Sequence, residues 1–143
     1  MTARPSIPVL YVEDDYGLAR LFQRRMARYG FDVATAHDGR VGLEMWDSGM
    51  YEILAVDHDL PYMTGLEIIR TLASRGSVPP IVMVTAARDD TVAHEALRLG
   101  AYECIIKDLR GDYLERIPQA LRQARRNKSP DFSQEIPEAA VKS

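Results

Sequence analysis

At 143 residues the chain has the length of one domain and can bury a sizeable core. A hydrophobic fraction of 46%, a charged fraction of 27% and a formal net charge of −3 fit an ordinary globule and argue against nucleic acid as the main partner, because phosphate backbones select basic faces. The single cysteine, Cys104, excludes an intrachain disulfide and a multi-cysteine metal site; no apolar run reaches the roughly 18 residues of a membrane span, and Met1 to Pro8 lacks a signal-type apolar core, so a bacterial-type cytoplasm is the expected compartment.

In chain order, Ile7 to Val12 reads as a first strand that runs into Glu13-Asp14-Asp15. Leu18, Leu21, Phe22, Arg25, Met26 and Tyr29 then recur at helical spacing until Gly30 stops the helix. Phe31 to Ala34 reads as a second strand, and Asp38 caps a helix through Val41, Leu43, Met45 and Trp46 that ends near Gly49. Ile53-Leu54-Ala55-Val56 is an unbroken apolar run of the kind that forms a buried parallel strand. It ends in Asp57, where a loop begins with Pro61 and Gly65 at its bends. Leu66, Ile68, Ile69 and Leu72 mark a third helix, closed by Gly76. Ile81 to Thr85 is the next strand; Val92, Ala96, Leu97 and Leu99 mark the helix after it, closed by Gly100. Glu103 to Ile106 is a fifth strand, ending at Lys107. Pro118 falls inside the pattern of Leu114, Ile117, Leu121 and Ala124, so the spacing predicts a turn from Asp112 to Arg116 and a helix from Ile117 to Arg126. Residues 5–126 make the domain, and the polar residues 127–143 a frayed tail.

Strand and helix alternate five times with connections that allow only right-handed crossovers. The fold class is therefore α/β, a doubly wound five-stranded parallel sheet with helices on both faces. Parallel strands bring Glu13-Asp14, Asp57, Thr85 and Lys107 to one sheet edge, the edge where such folds place their chemistry. Each has an ordinary reading alone: a helix cap, a β-prone threonine, a solvated lysine. Together they form a set. Clustered carboxylates suit a hard cation such as Mg²⁺, and an acid beside it suits attack on phosphorus. A hydroxyl and an ammonium then suit the phosphoryl oxygens.

Val9-Leu10-Tyr11-Val12-Glu13-Asp14-Asp15, Asp57-His58-Asp59-Leu60-Pro61 with Gly65, Val84-Thr85-Ala86, and Gly100-Ala101 ahead of Ile106-Lys107 together resemble the receiver domain of two-component response regulators. The resemblance implies a flavodoxin-like sheet of strand order 2-1-3-4-5 and a phospho-acceptor at Asp57. It implies Mg²⁺ held directly by Asp14 and Asp57, through water by Glu13, and by the backbone carbonyl of Asp59. Thr85, with Ala86, would be the switch and Lys107 the phosphoryl-binding ammonium. The implied partners are a histidine kinase or histidine phosphotransfer protein as donor and a downstream protein as target, with no role for nucleic acid or membrane. The chain is then expected to be a single-domain response regulator and not an enzyme, acting by protein contact or onward phosphate transfer. Three departures stand out: Cys104 where receivers usually carry an aromatic residue, with Tyr102 nearby; Asp108 where they usually carry proline after the lysine; and Asp59, an added acid beside Asp57 that should disfavour an incoming phosphate anion but could attract metal or orient a hydrolytic water. The sequence predicts a trans bond between Lys107 and Asp108.

Two readings compete. Asp57-His58-Asp59 also resembles the first motif of haloacid-dehalogenase-type phosphatases, but those enzymes take further acids from a later strand, and here the acid pair lies upstream. The other is a receiver-like binding module that is never phosphorylated. The basic stretch Arg116, Arg122, Arg125, Arg126 and Lys128 reads either as a solvated helix end or as a docking face for an acidic partner.

Overall fold

The structure, a computed structural model, describes residues 6–86 and 88–127. Five parallel strands, β1 (Ile7–Val12), β2 (Phe31–Ala36), β3 (Ile53–Val56), β4 (Ile81–Thr85) and β5 (Glu103–Ile106), lie in the order β2-β1-β3-β4-β5. They alternate with helices α1 (Tyr16–Ala27), α2 (Gly39–Trp46), α3 (Gly65–Ala73), α4 (Asp90–Arg98) and α5 (Ile117–Asn127), the last preceded by a 3-10 turn at Asp112–Glu115. This is the doubly wound sheet expected. β2 runs to Ala36 rather than Ala34, because its ladder with β1 continues to the Val12–Ala36 pair. The tail expected after Asn127 lies outside the described residues, as does residue 5. No helix among the described residues is long and apolar enough to cross a membrane.

Side chains that alternate along the strands feed two cores. Val9 and Tyr11 of β1, with Ala55, Val82 and Ile105, pack under α1 and α5 against Phe22, Met26, Ile117 and Leu121. Leu10 and Val12, with Leu54, Val56 and Met83, pack on the opposite face with Ile68, Ile69 and Leu72 of α3 and Ala96 of α4. Each large side chain among them contributes about 1.5–3 kcal/mol on burial, and β3 is buried at all four of its positions. Pro118 is the second residue of α5, where its missing N–H has no intrahelical partner to lose.

Helix starts are fixed by side-chain caps, worth about 1 kcal/mol each. Asp15 accepts from Leu18 N at 3.0 Å and Asp38 from Val41 N at 2.8 Å, while Thr64 and Glu67 form a reciprocal capping box at α3. Four apolar positions of the expected helical patterns are exposed instead: Leu21 at 38%, Tyr29 at 44%, Val41 at 42% and Leu97 at 44%. For α2 the reason is close packing. Its buried residues are Gly39 and Gly42, and a Cβ on Gly42 would lie 2.7 Å from Val12 Cγ2. The helix approaches β1 through glycine, and Val41 is left outside. Gly39 packs still more tightly, since its Cβ would fall 2.0 Å from the Met63 carbonyl oxygen.

Candidate functional site

The pairing of Val12 with Val56 sets Glu13 and Asp57 side by side as the next residues of adjoining strands, and Asp57 N donates to the Val12 carbonyl at 3.0 Å. At the far side Lys107 N donates to the Thr85 carbonyl at 2.8 Å, which carries the β4–β5 ladder one step beyond β5. Register alone thus brings residues from three strands to one place. Capping does not account for Asp57, because Thr64 caps the following helix. Of the three acids after β1, Asp15 takes the capping role and leaves Glu13 and Asp14 for other work.

Lys107 is the centre of the site. Its ammonium lies 2.6 Å from Glu13 Oε1 and 2.9 Å from Asp57 Oδ2, and the side chain is only 9% exposed. All peptide bonds of the described residues are trans, so Lys107 reaches Asp57 across a trans bond to Asp108, as expected. Burial alone would pull the lysine down, but the Glu13 hydrogen bond and the Asp57 charge more than offset it and the ammonium is held above its usual range. Glu13, 1% exposed, is pushed up by burial; Lys107 offsets this only in part, and the Asp57 charge adds to it. Both Glu13 oxygens have donors besides, with Tyr11 OH at 3.1 Å from Oε1 and Asp15 N at 3.1 Å from Oε2. On Asp57 the second oxygen, Oδ1, accepts from His58 N at 2.7 Å.

Glu13, Asp14 and Asp57 each offer an oxygen within 4.8 Å of the others. That spacing and an all-oxygen donor set fit Mg²⁺, whose ligands stand about 2.0–2.1 Å from the metal in an octahedron completed by water. Asp14 is exposed while the other two are buried. Asp59 is exposed and its carboxylate is outside the cluster. Thr85 is fully buried at the end of β4 and Ala86 beside it is exposed.

Two of the three departures have local explanations. Asp108 organises the loop after β5: its carboxylate accepts from Tyr113 N at 2.8 Å and Asp112 N at 3.2 Å, and these bonds hold it below the usual carboxylate range. Cys104 is partly buried against the α3–α4 core. Tyr102 precedes β5 and reaches α5 instead, its hydroxyl donating to Gln123 at 3.2 Å. It does not share the packing of Cys104.

Sequence reasoning passed over several residues around the site. Tyr11 is fully buried with its ring stacked on Phe22, centroids 3.9 Å apart. Its position two before Glu13 on one strand is the signal that could have found it. His37 Nδ1 lies 2.9 Å from the Glu13 carbonyl oxygen, with its ring stacked on Tyr16 at 3.8 Å; nothing local in the sequence pairs them. Tyr62, in the loop after Asp57, holds a left-handed backbone at φ 70° with the Arg40 guanidinium 4.9 Å from its ring centroid.

The sequence matches the response regulator receiver domain over residues 9–119. The uncharacterized transcriptional regulatory protein YkoG of Bacillus subtilis (strain 168) is 33% identical over 116 residues, covering 80% of this chain and 51% of that protein. The chain therefore spans about half the length of this curated relative. The receiver domain of the Francisella response regulator 1452 superposes with a TM-score of 0.77 at 18% identity, covering 87% of this chain and all of that one. The CheX–CheY–BeF3–Mg complex from Borrelia burgdorferi gives a TM-score of 0.74 at 20% identity, covering 83% and 89%. At those identities the structures speak for the fold, which is flavodoxin-like. Since the sequence match takes in most of β1, all of the other four strands and the whole carboxyl edge of the sheet, the chain belongs to the response regulator receiver domain family.

Proposed function

We propose that Asp57 accepts a phosphoryl group from the phosphohistidine of a histidine kinase or histidine phosphotransfer protein, and that the phosphorylated domain signals through contact with a protein target or passes the group onward. One observation carries this reading: a buried carboxylate stands 2.9 Å from a buried ammonium at the chemical edge of the sheet. In the transfer an Asp57 oxygen forms a bond to phosphorus. The bond from phosphorus to the donor imidazole nitrogen breaks, and the nitrogen keeps the electron pair. Lys107 is positioned to meet the incoming oxygens, with Thr85 as the switch hydroxyl and Ala86 beside it. Asp14, Asp57, Glu13 through water and the Asp59 carbonyl are the groups assigned to Mg²⁺. When bound, the ion offsets negative charge on the carboxylates and the phosphoryl oxygens. The net charge of −3 supports protein partners over nucleic acid for this domain, and the family is one of signalling proteins rather than catalysts.

The test is intact mass and peptide mapping after incubation with acetyl phosphate. One phosphoryl group is expected, on the peptide that holds Asp57, with Mg²⁺ and not with a chelator. Addition at the wild-type level in Asp57→Asn would overturn the assignment.

A second measurement addresses the metal. Three carboxylates cluster here and only Glu13 and Asp57 pair with the one ammonium, so a cation that binds them only in the folded state stabilises by roughly 2.7 kcal/mol at 100 times its dissociation constant. Mg²⁺ is expected to raise the melting temperature of the wild type. Asp14→Ala should melt no lower than the metal-free wild type, because a repelling charge is gone, and should lose the Mg²⁺ response. Equal stabilisation of both proteins would place the cation elsewhere.

A further inference from the structure

The site contains a hydrogen bond that neither phosphoryl transfer nor metal binding requires in its resting form. Glu13 Oε1 accepts twice, from Lys107 at 2.6 Å and from the Tyr11 hydroxyl at 3.1 Å. The lysine alone would satisfy that oxygen. The two donors differ in what they can do. Lys107 hangs on a flexible four-carbon stem and already divides its ammonium between Glu13 and Asp57. Tyr11 cannot move: it lies on β1 with no exposed surface and its ring is stacked on Phe22.

Phosphorylation would change the balance at Lys107. An aspartyl phosphate carries more negative charge than the carboxylate it replaces and offers terminal oxygens that call for a cation. Lys107 is then drawn from Glu13 toward the new group. Glu13 is 1% exposed, so beyond the one water through which it would face Mg²⁺ there is little access for another to replace the departing donor. A buried carboxylate oxygen left without a partner carries a full desolvation penalty. That penalty would oppose the movement of the lysine.

We propose that Tyr11 is a positioning residue whose fixed hydroxyl keeps Glu13 Oε1 partnered when Lys107 leaves it for the phosphoryl group. With Tyr11 in place each Glu13 oxygen retains a donor after the transfer, Tyr11 on Oε1 and Asp15 N on Oε2. The residue touches neither the phosphoryl group nor the metal and acts through Glu13 and Lys107. This inference rests on the assignment of Asp57 as phospho-acceptor.

The experiment uses Mg²⁺ with beryllofluoride as a non-covalent phosphoryl mimic on the full chain, with affinity read by calorimetry. Tyr11→Phe removes one oxygen and keeps the ring on Phe22. It should weaken beryllofluoride binding by about 10-fold, the loss expected for one hydrogen bond to a charged group. Mg²⁺ binding in the absence of beryllofluoride should stay within twofold of wild type. In a Lys107→Ala background no lysine has to leave Glu13, so adding Tyr11→Phe should change beryllofluoride affinity by less than twofold. A residue that only supports the core would lower the melting temperature and leave these affinities alone. That result overturns the proposal, as does an equal loss in both backgrounds. A measurement on the wild type is independent of how the variant folds. The Tyr11 ¹³Cζ resonance should shift when beryllofluoride saturates the site, and an unmoved resonance also counts against the role. If the wild type itself neither binds beryllofluoride nor takes a phosphoryl group from acetyl phosphate, the assignment of Asp57 is what has failed.

Discussion

Lys107→Ala is expected to slow phosphorylation by acetyl phosphate about 10- to 100-fold, the kinetic equivalent of losing a charge-assisted hydrogen bond of roughly 1.5–3 kcal/mol. The same change should destabilise the metal-free protein by about 3 kcal/mol. Two carboxylates that are 1% and 6% exposed in their side chains, Glu13 and Asp57, have this ammonium in common. Removing one partner of a buried ion pair leaves an uncompensated charge, and here it leaves two. The loss has a definite pH dependence. Burial and the neighbouring Asp57 charge already push the Glu13 carboxyl up, and without the lysine their main offset is gone. Such a group penalises folding only when ionised. The part of the deficit that Glu13 carries should therefore be complete above its raised folded value, shrink as pH falls through it, and vanish below about pH 4. Mg²⁺ should restore more stability to the variant than to the wild type, since it replaces the missing counter-charge. Denaturant melts at several pH values, with and without Mg²⁺, read all three effects. A phosphorylation rate within twofold of wild type would show that the ammonium takes no part in the transfer.

Gly65→Ala should be the most damaging single-methyl addition in the loop after Asp57. A Cβ on Gly65 would stand 2.2 Å from the Asp57 carbonyl oxygen and 2.9 Å from both the Asp57 carbonyl carbon and His58 Cα. All three atoms are backbone, so no side chain can rotate out of the way. The close approach exists because Gly65 N donates to the His58 carbonyl at 2.9 Å, which closes the loop onto the end of β3. Overpacking in a rigid surrounding costs about 1–3 kcal/mol, occasionally more, and this contact belongs at the top of that range. Phosphorylation should fall with stability, because the backbone forced to move is that of Asp57 itself. Gly49 provides the contrast. It has φ +78° and nothing within 4 Å of a built Cβ, so Gly49→Ala should cost only the backbone strain of about 1–2 kcal/mol. Equal midpoints for the two variants in urea would show that the Gly65 contact relaxes freely.

Much of the fold was legible because the signals were of two strong kinds. Apolar runs such as Ile53 to Val56 and Ile81 to Val84 can be buried only between two helical layers, and glycines such as Gly30 and Gly100 mark where helices must stop. Strand ends then bring Glu13, Asp57, Thr85 and Lys107 to one edge with no further assumption. The split at Pro118 followed from hydrogen bonding alone. What escaped depended on contacts between distant residues. Periodicity counts apolar side chains, so it placed Val41 inward; α2 instead approaches β1 through Gly42 and the Met63 loop through Gly39, which carry no hydrophobic signal. Tyr11 looked like one more apolar strand residue until its hydroxyl was found on Glu13. Asp108 could be seen as a missing proline, but its work as acceptor for Tyr113 and Asp112 needed the path of the loop.

The contact between Gly39 and the Met63 carbonyl also bears on motion. Gly39 N donates to the Pro61 carbonyl at 3.2 Å, and the space its missing side chain leaves is filled by Met63 backbone. The first turn of α2 and the loop after Asp57 thus move as one mechanical piece. Interiors packed this tightly do not deform smoothly. A displacement of that loop, whatever drives it, must either carry the start of α2 along or break the Gly39–Pro61 bond. The second helix is therefore coupled to the loop that follows Asp57 by its own backbone, without any side chain as intermediary.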